Sequence, residues 1–162
     1  MRASYQTILA MHAALIPRAE HRDASLINGA SLDLRLGRHF LPVNDIRGPY
    51  EADELRLHPG QFVLGRTLER VVLPPDYAGN LYLKSTMGRL GIDHALAGYV
   101  DPGWDGVLTL ELRSNLNVGE IVLRAGEPVV QLVLDRVDFP TEKPYAGRYQ
   151  HAVSVEGAKV KV

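Results

Sequence analysis

Short segments of alternating apolar and polar residues, broken by turn residues at intervals of roughly eight to twelve positions, constrain the fold of this chain most strongly. Strand side chains alternate between two faces, so each such segment is predicted to be a strand. The predicted strands cover residues 31–36, 62–66, 69–73, 80–83, 107–112, 121–123 and 129–137. Turn residues such as Pro74-Pro75-Asp76 and Pro102-Gly103 separate them. The pattern predicts a mainly β fold, either a barrel or a jelly-roll-like sandwich.

Two short helices are predicted beside these strands. The first covers residues 5–16, where apolar residues from Ile8 to Leu15 follow helical spacing and Pro17 ends the pattern. The second covers residues 86–91, and the polar residues 18–25 predict a loop. A length of 162 residues fits a single domain, 1–162, whose polar C-terminal arm, about residues 141–162, is expected to be flexible.

The composition excludes several classes of protein. A net charge of −1 lacks the basic face that broad nucleic-acid binding needs. The absence of cysteine excludes disulfides, cysteine-ligated zinc and thiol nucleophiles, and the six histidines show no metal-ligand spacing. No apolar run approaches the roughly 18 residues of a membrane span. Gln6 and His12 interrupt the apolar segment near the start, so we expect no signal peptide and predict a cytoplasmic protein that binds no membrane.

One carboxylate stands in the most apolar of the predicted strands. Glu111 shares a face of the strand 107–112 with Val107 and Thr109, while three leucines occupy the other face. Burying a carboxylate as an anion is costly unless it is paired or its pKa rises. A carboxylate with a raised pKa is suited to taking a proton from water and handing it on. The alternative is that Glu111 lies on a solvated face of the strand.

Two cations and two hydroxyls lie within six residues upstream of that strand, at Lys84, Ser85, Thr86 and Arg89. Arginine offers a planar fork of donors, lysine a point charge, and hydroxyls fill the remaining acceptors of a polyphosphate. The spacing is not that of a Walker loop. The alternative is an ordinary helix start, with Ser85 or Thr86 as the N-cap and Arg89 on the surface.

Five segments carry a resemblance to a known family, in the same order along the chain. They are residues 27–37, residues 60–67 followed by Leu73-Pro74, residues 84–91, residues 94–112, and Pro144-Tyr145 with Arg148-Tyr149-Gln150. Over roughly residues 27–150 the chain resembles the dCTP deaminase family, within the trimeric dUTPase-like superfamily. The resemblance implies a dUTPase-like distorted jelly-roll or β-barrel with a short N-terminal helix, assembled as a homotrimer with active sites between subunits.

The same resemblance implies hydrolytic deamination of dCTP to dUTP and ammonia, a step in the supply of dUMP and dTTP. Glu111 would activate the water that attacks C4 of cytosine. Ser85 and the backbone at Ala97 would hold that water, and Arg89 would support Glu111 and the developing charge. By this resemblance the catalytic residues are Glu111, Ser85 and Arg89.

The substrate contacts are implied in the same way. Lys84, Ser85 and Thr86 would bind the triphosphate, Asp101 would face the deoxyribose, and Thr109, Leu110 and Glu111 would flank the base. Gln131 is a further expected substrate contact, and Tyr145 and Arg148 would close over the phosphates. Mg²⁺ would bridge the phosphate oxygens, with no metal site made by the protein.

The residues themselves support a reaction that needs no metal at the base. Zinc deaminases carry an H-x-E…P-C-x-x-C signature, which this chain lacks. If the chain deaminates cytosine, a carboxylate and fixed hydrogen-bond partners must therefore activate the water. Glu111 is the carboxylate that the motif offers, and Mg²⁺ follows from the charge of the triphosphate.

Two other functions stay open. A dUTP pyrophosphatase of the same fold usually has an apolar residue in place of Glu111, a Tyr in place of Trp104, and a Gly-rich arm that nothing after Gln150 resembles. A bifunctional deaminase that continues to dUMP remains compatible with the sequence. The second alternative is a non-catalytic nucleotide-sensing module, which would not need Ser85, Arg89 and Glu111 together.

The chain also departs from the family's pattern. The segment 90–97 is one residue shorter, and Leu96 replaces a Thr linked to feedback inhibition by dTTP, which puts that regulation in doubt. Arg148 replaces a Lys and keeps its charge, whereas Ala152 replaces a substrate-contacting Gln. Losing such a hydrogen bond costs on the order of 1–3 kcal/mol, so we expect an effect on specificity.

Overall fold

The computed structural model describes residues 1–43, 46, 48–95 and 98–159 of the chain, and its fold is mainly β. The helices are α1 (Tyr5–Leu15) and α2 (Ser85–Arg89), with 3-10 turns at Ala19–His21 and Ala24–Leu26. The strands are β1 (Leu32–Arg35), β2 (His39–Pro42), β3 (Tyr50–Glu51), β4 (Glu54–Leu57), β5 (Phe62–Val72), β6 (Tyr77–Leu83), β7 (Ile92–His94), β8 (Tyr99–Val100), β9 (Asp105–Ser114), β10 (Ile121–Arg124) and β11 (Pro128–Arg136). None of the helices in these residues has the length and apolarity that a membrane crossing requires.

Antiparallel pairing organises the strands into two larger sheets and one two-stranded ribbon. The first sheet has the order β1-β11-β6-β8, the second has the order β3-β2-β5-β9-β7, and β4 pairs with β10. Leu34 and Leu132 of the first sheet and Leu110 and Leu112 of the second belong to the same buried cluster. One hydrophobic core therefore serves both sheets, as in the barrel or jelly-roll that the turn spacing predicts.

The pairing of β5 with β9 sets the face on which the candidate site lies. On β9 the leucines 108, 110 and 112 are buried, whereas Thr109 and Glu111 are half-buried on the opposite face. Leu64 lies opposite Glu111 in the register, and Arg66 lies opposite Thr109. The prediction that Glu111 and Thr109 share one face is confirmed.

A bulge interrupts this pairing. Arg66 opposes Thr109 but Arg70 opposes Val107, so β5 carries extra residues between the two pairs. Thr67 stabilises the bulge: its Oγ1 accepts from the Leu108 N–H at 2.9 Å and donates to the Glu69 carbonyl at 2.7 Å. The sequence predicts two strands here, at 62–66 and 69–73. The structure has one, because the bulge shifts the register without ending the strand.

The alternation of the sequence does not predict five of the strands, which are β2, β3, β4, β7 and β8. Each has only two to four residues. Segments this short offer few alternations, so a period of two identifies some of them, such as β10, and not others. The predicted loop at 18–25 likewise contains both 3-10 turns.

The residues after β11 form an arm that packs on the start of β9. The His151 N–H donates to the Asp105 carbonyl at 2.7 Å, and the Val107 N–H donates to the Ala152 carbonyl at 2.9 Å. These residues of the arm are therefore packed against β9. The physical reason is that β7 pairs only with the end of β9, so backbone groups at the start of β9 remain for the arm to satisfy.

Candidate active site

A cavity of about 630 Å³ opens on the half-buried face of β5 and β9. Phe62 and Leu64 of β5 and Thr109 and Glu111 of β9 line it, and Tyr145 of the arm forms part of its wall. The volume lies within the range of about 300–1,000 Å³ that is typical of small-molecule sites. A mostly apolar wall with a few carboxylates suits a flat aromatic ring that also carries polar groups.

Glu111 is the central titratable group of this cavity. No hydrogen bond or ion pair connects its carboxylate to another residue in the part of the chain that the structure describes. Burial raises the pKa of Glu111 above its ordinary value. A carboxylate in this environment can exchange protons at a pH closer to neutrality than an exposed glutamate. Half-burial in the cavity favours the first of the two interpretations of Glu111 over a fully solvated face of the strand.

A tight turn places Asp101 and Trp104 at one end of the cavity. Gly103 has φ +84°, and the Trp104 N–H donates to the Asp101 carbonyl at 3.2 Å. Asp101 is exposed and lines the cavity. The ring of Trp104 packs against Tyr145 with centroids 5.2 Å apart. The turn thereby connects the predicted sugar-facing carboxylate with the arm.

Lys84 and Gln131 meet in a polar cluster outside the cavity. Lys84 Nζ donates to Asp33 Oδ2. Asp33 Oδ1 accepts from Asn28 Nδ2 at 2.8 Å and from Gln131 Nε2 at 3.4 Å, and Gln131 also donates to Ser31 Oγ at 3.4 Å. The structure thus places two of the predicted substrate contacts around a single buried carboxylate.

The remaining predicted phosphate ligands lie on α2, which begins directly after Lys84. Ser85, Thr86 and Arg89 are exposed, and none of them lines the Glu111 cavity. Within one chain, therefore, the structure does not bring Glu111 together with Ser85 and Arg89. The candidate site consists of two separate surfaces, one apolar with a carboxylate and one cationic with hydroxyls.

Three other predicted residues need separate comment. The Leu110 side chain is fully buried on the core face, so only its backbone is available to a ligand in the cavity. Arg148 is exposed and donates to the Lys159 carbonyl within the arm. Ala97 and its neighbour Leu96 lie outside the described residues.

Two contributors to the site are not predicted from the sequence. Asp33 of β1 lies within the segment 27–37, and its spacing of two from Ser31 places both side chains on the same side of the extended chain. Tyr149 lines the cavity from the arm, beside the predicted Tyr145. The pairing of Asp33 with Lys84 had no local signal, because the two residues are 51 positions apart.

Comparison with known proteins gives a family model described as dCTP deaminase-like, which matches residues 3–137. Among curated proteins, a "dCTP deaminase, dUMP-forming" of Mycolicibacterium vanbaalenii is 42% identical over 141 residues, which is 76% of this chain and 74% of the relative.

Two solved structures resemble the fold. A 2'-deoxycytidine 5'-triphosphate deaminase from Agrobacterium tumefaciens has a TM-score of 0.69 at 23% identity and covers 82% of this chain, while this chain spans about half (47%) of that protein. A mutant dUTPase from phage phi11 of S. aureus has a TM-score of 0.51 at 16% identity, over 74% of this chain and 84% of the phage protein. These likenesses confirm a dUTPase-like fold.

Proposed function

The chain belongs to the dCTP deaminase-like family of enzymes, and on that premise we propose that it hydrolyses the amino group from the cytosine of dCTP, with Glu111 activating the water. The observation that carries the proposal is Glu111 itself, a carboxylate with a raised pKa and no partner among the described residues, in an apolar cavity of about 630 Å³. The catalytic residues of the proposal are Glu111, Ser85 and Arg89.

The chemistry assigned to Glu111 is general base and then general acid catalysis. The ionised carboxylate takes a proton from water while the water oxygen bonds to C4 of the ring. The electrons of the C4=N3 double bond move to N3, and Glu111 delivers this proton there. Glu111 then takes the proton of the new C4 hydroxyl and passes it to the amino nitrogen, so that the C4–N bond breaks and ammonia leaves as the carbonyl forms. Burial favours this cycle because the raised pKa brings the proton affinity of the Glu111 carboxylate closer to the proton affinities of the groups with which it exchanges protons.

The two separate surfaces support an assembly in which neighbouring copies share a site. Ser85 and Arg89 are needed beside Glu111 in the proposed mechanism but lie outside its cavity in one chain. A symmetric homotrimer lets the α2 surface of one copy face the cavity of the next. We propose that each site takes Glu111 from one copy and Ser85 and Arg89 from its neighbour.

We also propose the remaining substrate contacts that the family resemblance implies. Asp101 faces the deoxyribose from the cavity, while Thr109 and the backbone of Leu110 flank the base. Lys84, Ser85 and Thr86 bind the triphosphate, with Gln131 beside Lys84. Tyr145 and Arg148 of the arm close over the phosphates, and the Ala97 backbone holds the water.

Mg²⁺ would enter this site bound to the triphosphate of the substrate. Among the described residues no three histidine, aspartate or glutamate side chains converge, so these residues offer no cage for an ion. Mg²⁺ keeps several waters and binds readily to substrate phosphates. When bound, it would neutralise charge on the triphosphate, and Lys84, Ser85 and Thr86 would hold the phosphate oxygens that it leaves free.

A second candidate is the bifunctional reaction that continues from dCTP to dUMP. The name of the Mycolicibacterium relative, which includes "dUMP-forming", favours it. In that case a second water cleaves the triphosphate, and the products include dUMP and diphosphate.

Product analysis tests these proposals together. Purified protein is incubated with dCTP and Mg²⁺ while ammonia, dUTP, dUMP and diphosphate are followed. Ammonia with dUTP supports the simple deaminase, and ammonia with dUMP and diphosphate supports the bifunctional one. Absence of ammonia contradicts both, and turnover of dUTP would then support a pyrophosphatase.

Glu111→Gln is the matched variant for this assay, because it keeps shape and removes the base. We expect its turnover to fall by about 10²–10⁴-fold while nucleotide affinity is retained. Full turnover in this variant would remove Glu111 from the mechanism. Nucleotide binding by a wild-type protein that turns over neither dCTP nor dUTP would support the sensing module instead.

A further inference from the structure

A second cavity, of about 210 Å³, lies on the same face of the β5–β9 pair, on the other side of Thr109 from Glu111. It is lined by Arg66, Leu68, Arg70, Val107, Arg18 and His21, with two residues of the arm. Its volume is smaller than the roughly 300 Å³ at which typical ligand pockets begin, so it has room for a small ion but not for a whole nucleotide.

Three arginines line this cavity, and only one of them has a carboxylate partner among the described residues. Arg70 donates from Nε and Nη2 to the two oxygens of Asp105, both at 2.6 Å. Arg66 donates one hydrogen bond, from Nη1 to the Thr67 carbonyl at 3.0 Å. Arg18 forms no ion pair with any residue that the structure describes. Positive charge therefore exceeds negative charge around the cavity.

Two carboxylates of the neighbouring strands are already engaged. Burial lowers the pKa of Arg66, and the negative charge of Glu51 only opposes that shift from a distance. Glu51 itself is paired with His39 Nε2 at 3.0 Å. Glu69 is turned to the other side of β5, where it accepts from Arg35 Nε at 2.6 Å.

Two buried nitrogen atoms of the lining have no hydrogen-bond partner among the described residues, Arg66 Nε and His21 Nδ1. Buried polar atoms are rarely left in this state, because they lose water without gaining a replacement. The Gly37 backbone packs closely on Arg66, since a Cβ at Gly37 would lie 3.1 Å from Arg66 Cγ. A larger residue at position 37 would press on the stem of the Arg66 side chain.

We propose that this cavity, defined by Arg18, His21, Arg66 and Arg70, binds a small phosphate-type oxyanion. Guanidinium groups match the oxygens of phosphate through paired, charge-assisted hydrogen bonds. Several donors around one centre suit a tetrahedral anion with oxygens on all sides better than a planar carboxylate. Inorganic phosphate and diphosphate share this chemistry, and the assignment stands independently of the proposed deaminase activity.

Calorimetric titration of the full chain with sodium phosphate, and separately with diphosphate, tests the site. We expect saturable binding of at least one of the two. Arg66→Gln should weaken it by about tenfold or more, the loss of one charge-assisted contact. Arg136→Gln, which removes an equally charged side chain at the end of β11, should leave the dissociation constant unchanged.

Two further variants make the outcome decisive. Arg18→Gln lies on an exposed loop, so it tests the site even if Arg66→Gln fails to fold, and it should also weaken binding. Thr86→Val removes a proposed triphosphate contact on the exposed surface of α2 and should leave phosphate binding intact. Binding that is insensitive to Arg66 and Arg18, or that is lost only in Thr86→Val, would overturn the proposal. The same assay with Glu111→Gln should match the wild type, which separates this site from catalysis.

Discussion

Lys84 donates to Asp33, and the same carboxylate accepts a hydrogen bond from Asn28 Nδ2 at 2.8 Å. Asp33 is mostly buried, and Lys84 retains partial exposure beside the start of α2. The pairing connects β1 with Lys84, which directly precedes Ser85 and Thr86 in the chain. The cation assigned to the triphosphate is thereby held next to the hydroxyls assigned to it.

Asp33→Ala should destabilise the fold. The change leaves Lys84 without its partner and removes an acceptor for Asn28 and Gln131. We expect the free energy of unfolding to fall by about 3 kcal/mol, as when one partner of a buried ion pair is removed. Urea unfolding measures it. The control is Asp53→Ala, which breaks an exposed pair with Arg38 and should change stability by less than about 1 kcal/mol. Equal effects of the two changes would contradict the role of Asp33.

Removing the charge of Glu111 should stabilise the protein near neutral pH. Burial raises the pKa of Glu111 in the folded state, so the folded protein binds this proton more tightly than the unfolded chain does. The charged form is then penalised above the unfolded pKa, and the penalty disappears as the pH falls below it. Glu111→Gln should therefore unfold at higher urea than the wild type at pH 7, with the difference shrinking in acid. A constant difference across pH would argue against this assignment.

The dependence of activity on pH should show the same raised pKa of Glu111 on its acid side. If Glu111 acts as the base, kcat/KM should fall in acid with a pKa above that of an ordinary glutamate. Steady-state rates with dCTP from acid to neutral pH provide the measurement. An apparent pKa equal to that of an ordinary glutamate would contradict the effect of burial on Glu111.

Gly103→Ala should displace the arm from the cavity. Gly103 has φ +84°, and a Cβ there would lie 2.5 Å from Pro144 Cβ. We expect the contact between Trp104 and Tyr145 to loosen, with weaker nucleotide binding and a change in the fluorescence of Trp104, the single tryptophan of the chain.

Gly119→Ala is the matched control for this change. Gly119 also has φ +84° but has nothing within 4 Å of the added carbon. Both variants bear the backbone strain, about 1–2 kcal/mol, and only Gly103→Ala bears the clash. If both variants bind nucleotide equally well, the arm has no part in the site.

Mixing two inactive variants should restore activity. Glu111→Gln keeps Ser85, and Ser85→Ala keeps Glu111, so a mixed trimer contains an interface with both native residues. Random assembly should return about a quarter of the wild-type rate, since a mixed trimer holds one intact site of three. The variants are mixed, unfolded and refolded together, then assayed. No recovery, with trimers present, would place all catalytic groups within one chain.

The sequence pattern predicts the parts of this fold that depend on local periodicity. The alternation of 107–112 predicts both β9 and the face of Glu111, and the spacing of Ile8 and Leu15 predicts α1. The bulge at Thr67 is not predictable in this way, because a strand that shifts register and a strand that ends carry the same local signal.

The residues of the candidate site divide in the same way, into those with a local sequence signal and those without one. Glu111 and Asp101 are predicted by motif and lie in one cavity. The Asp33–Lys84 pair and the packing of Tyr145 on Trp104 depend on contacts between distant parts of the chain. No pattern within a single strand or turn specifies such partners.

The arm on β9 has a consequence for how the protein is made. The arm follows β11 in the chain, so all strands of both sheets are synthesised before Tyr145 and Tyr149, which line the cavity. Until the arm packs, the cavity lacks the part of its wall that Tyr145 and Tyr149 form. Protease cleavage between β11 and the arm would return a finished molecule to the same open form, with its two sheets intact and its cavity missing a wall.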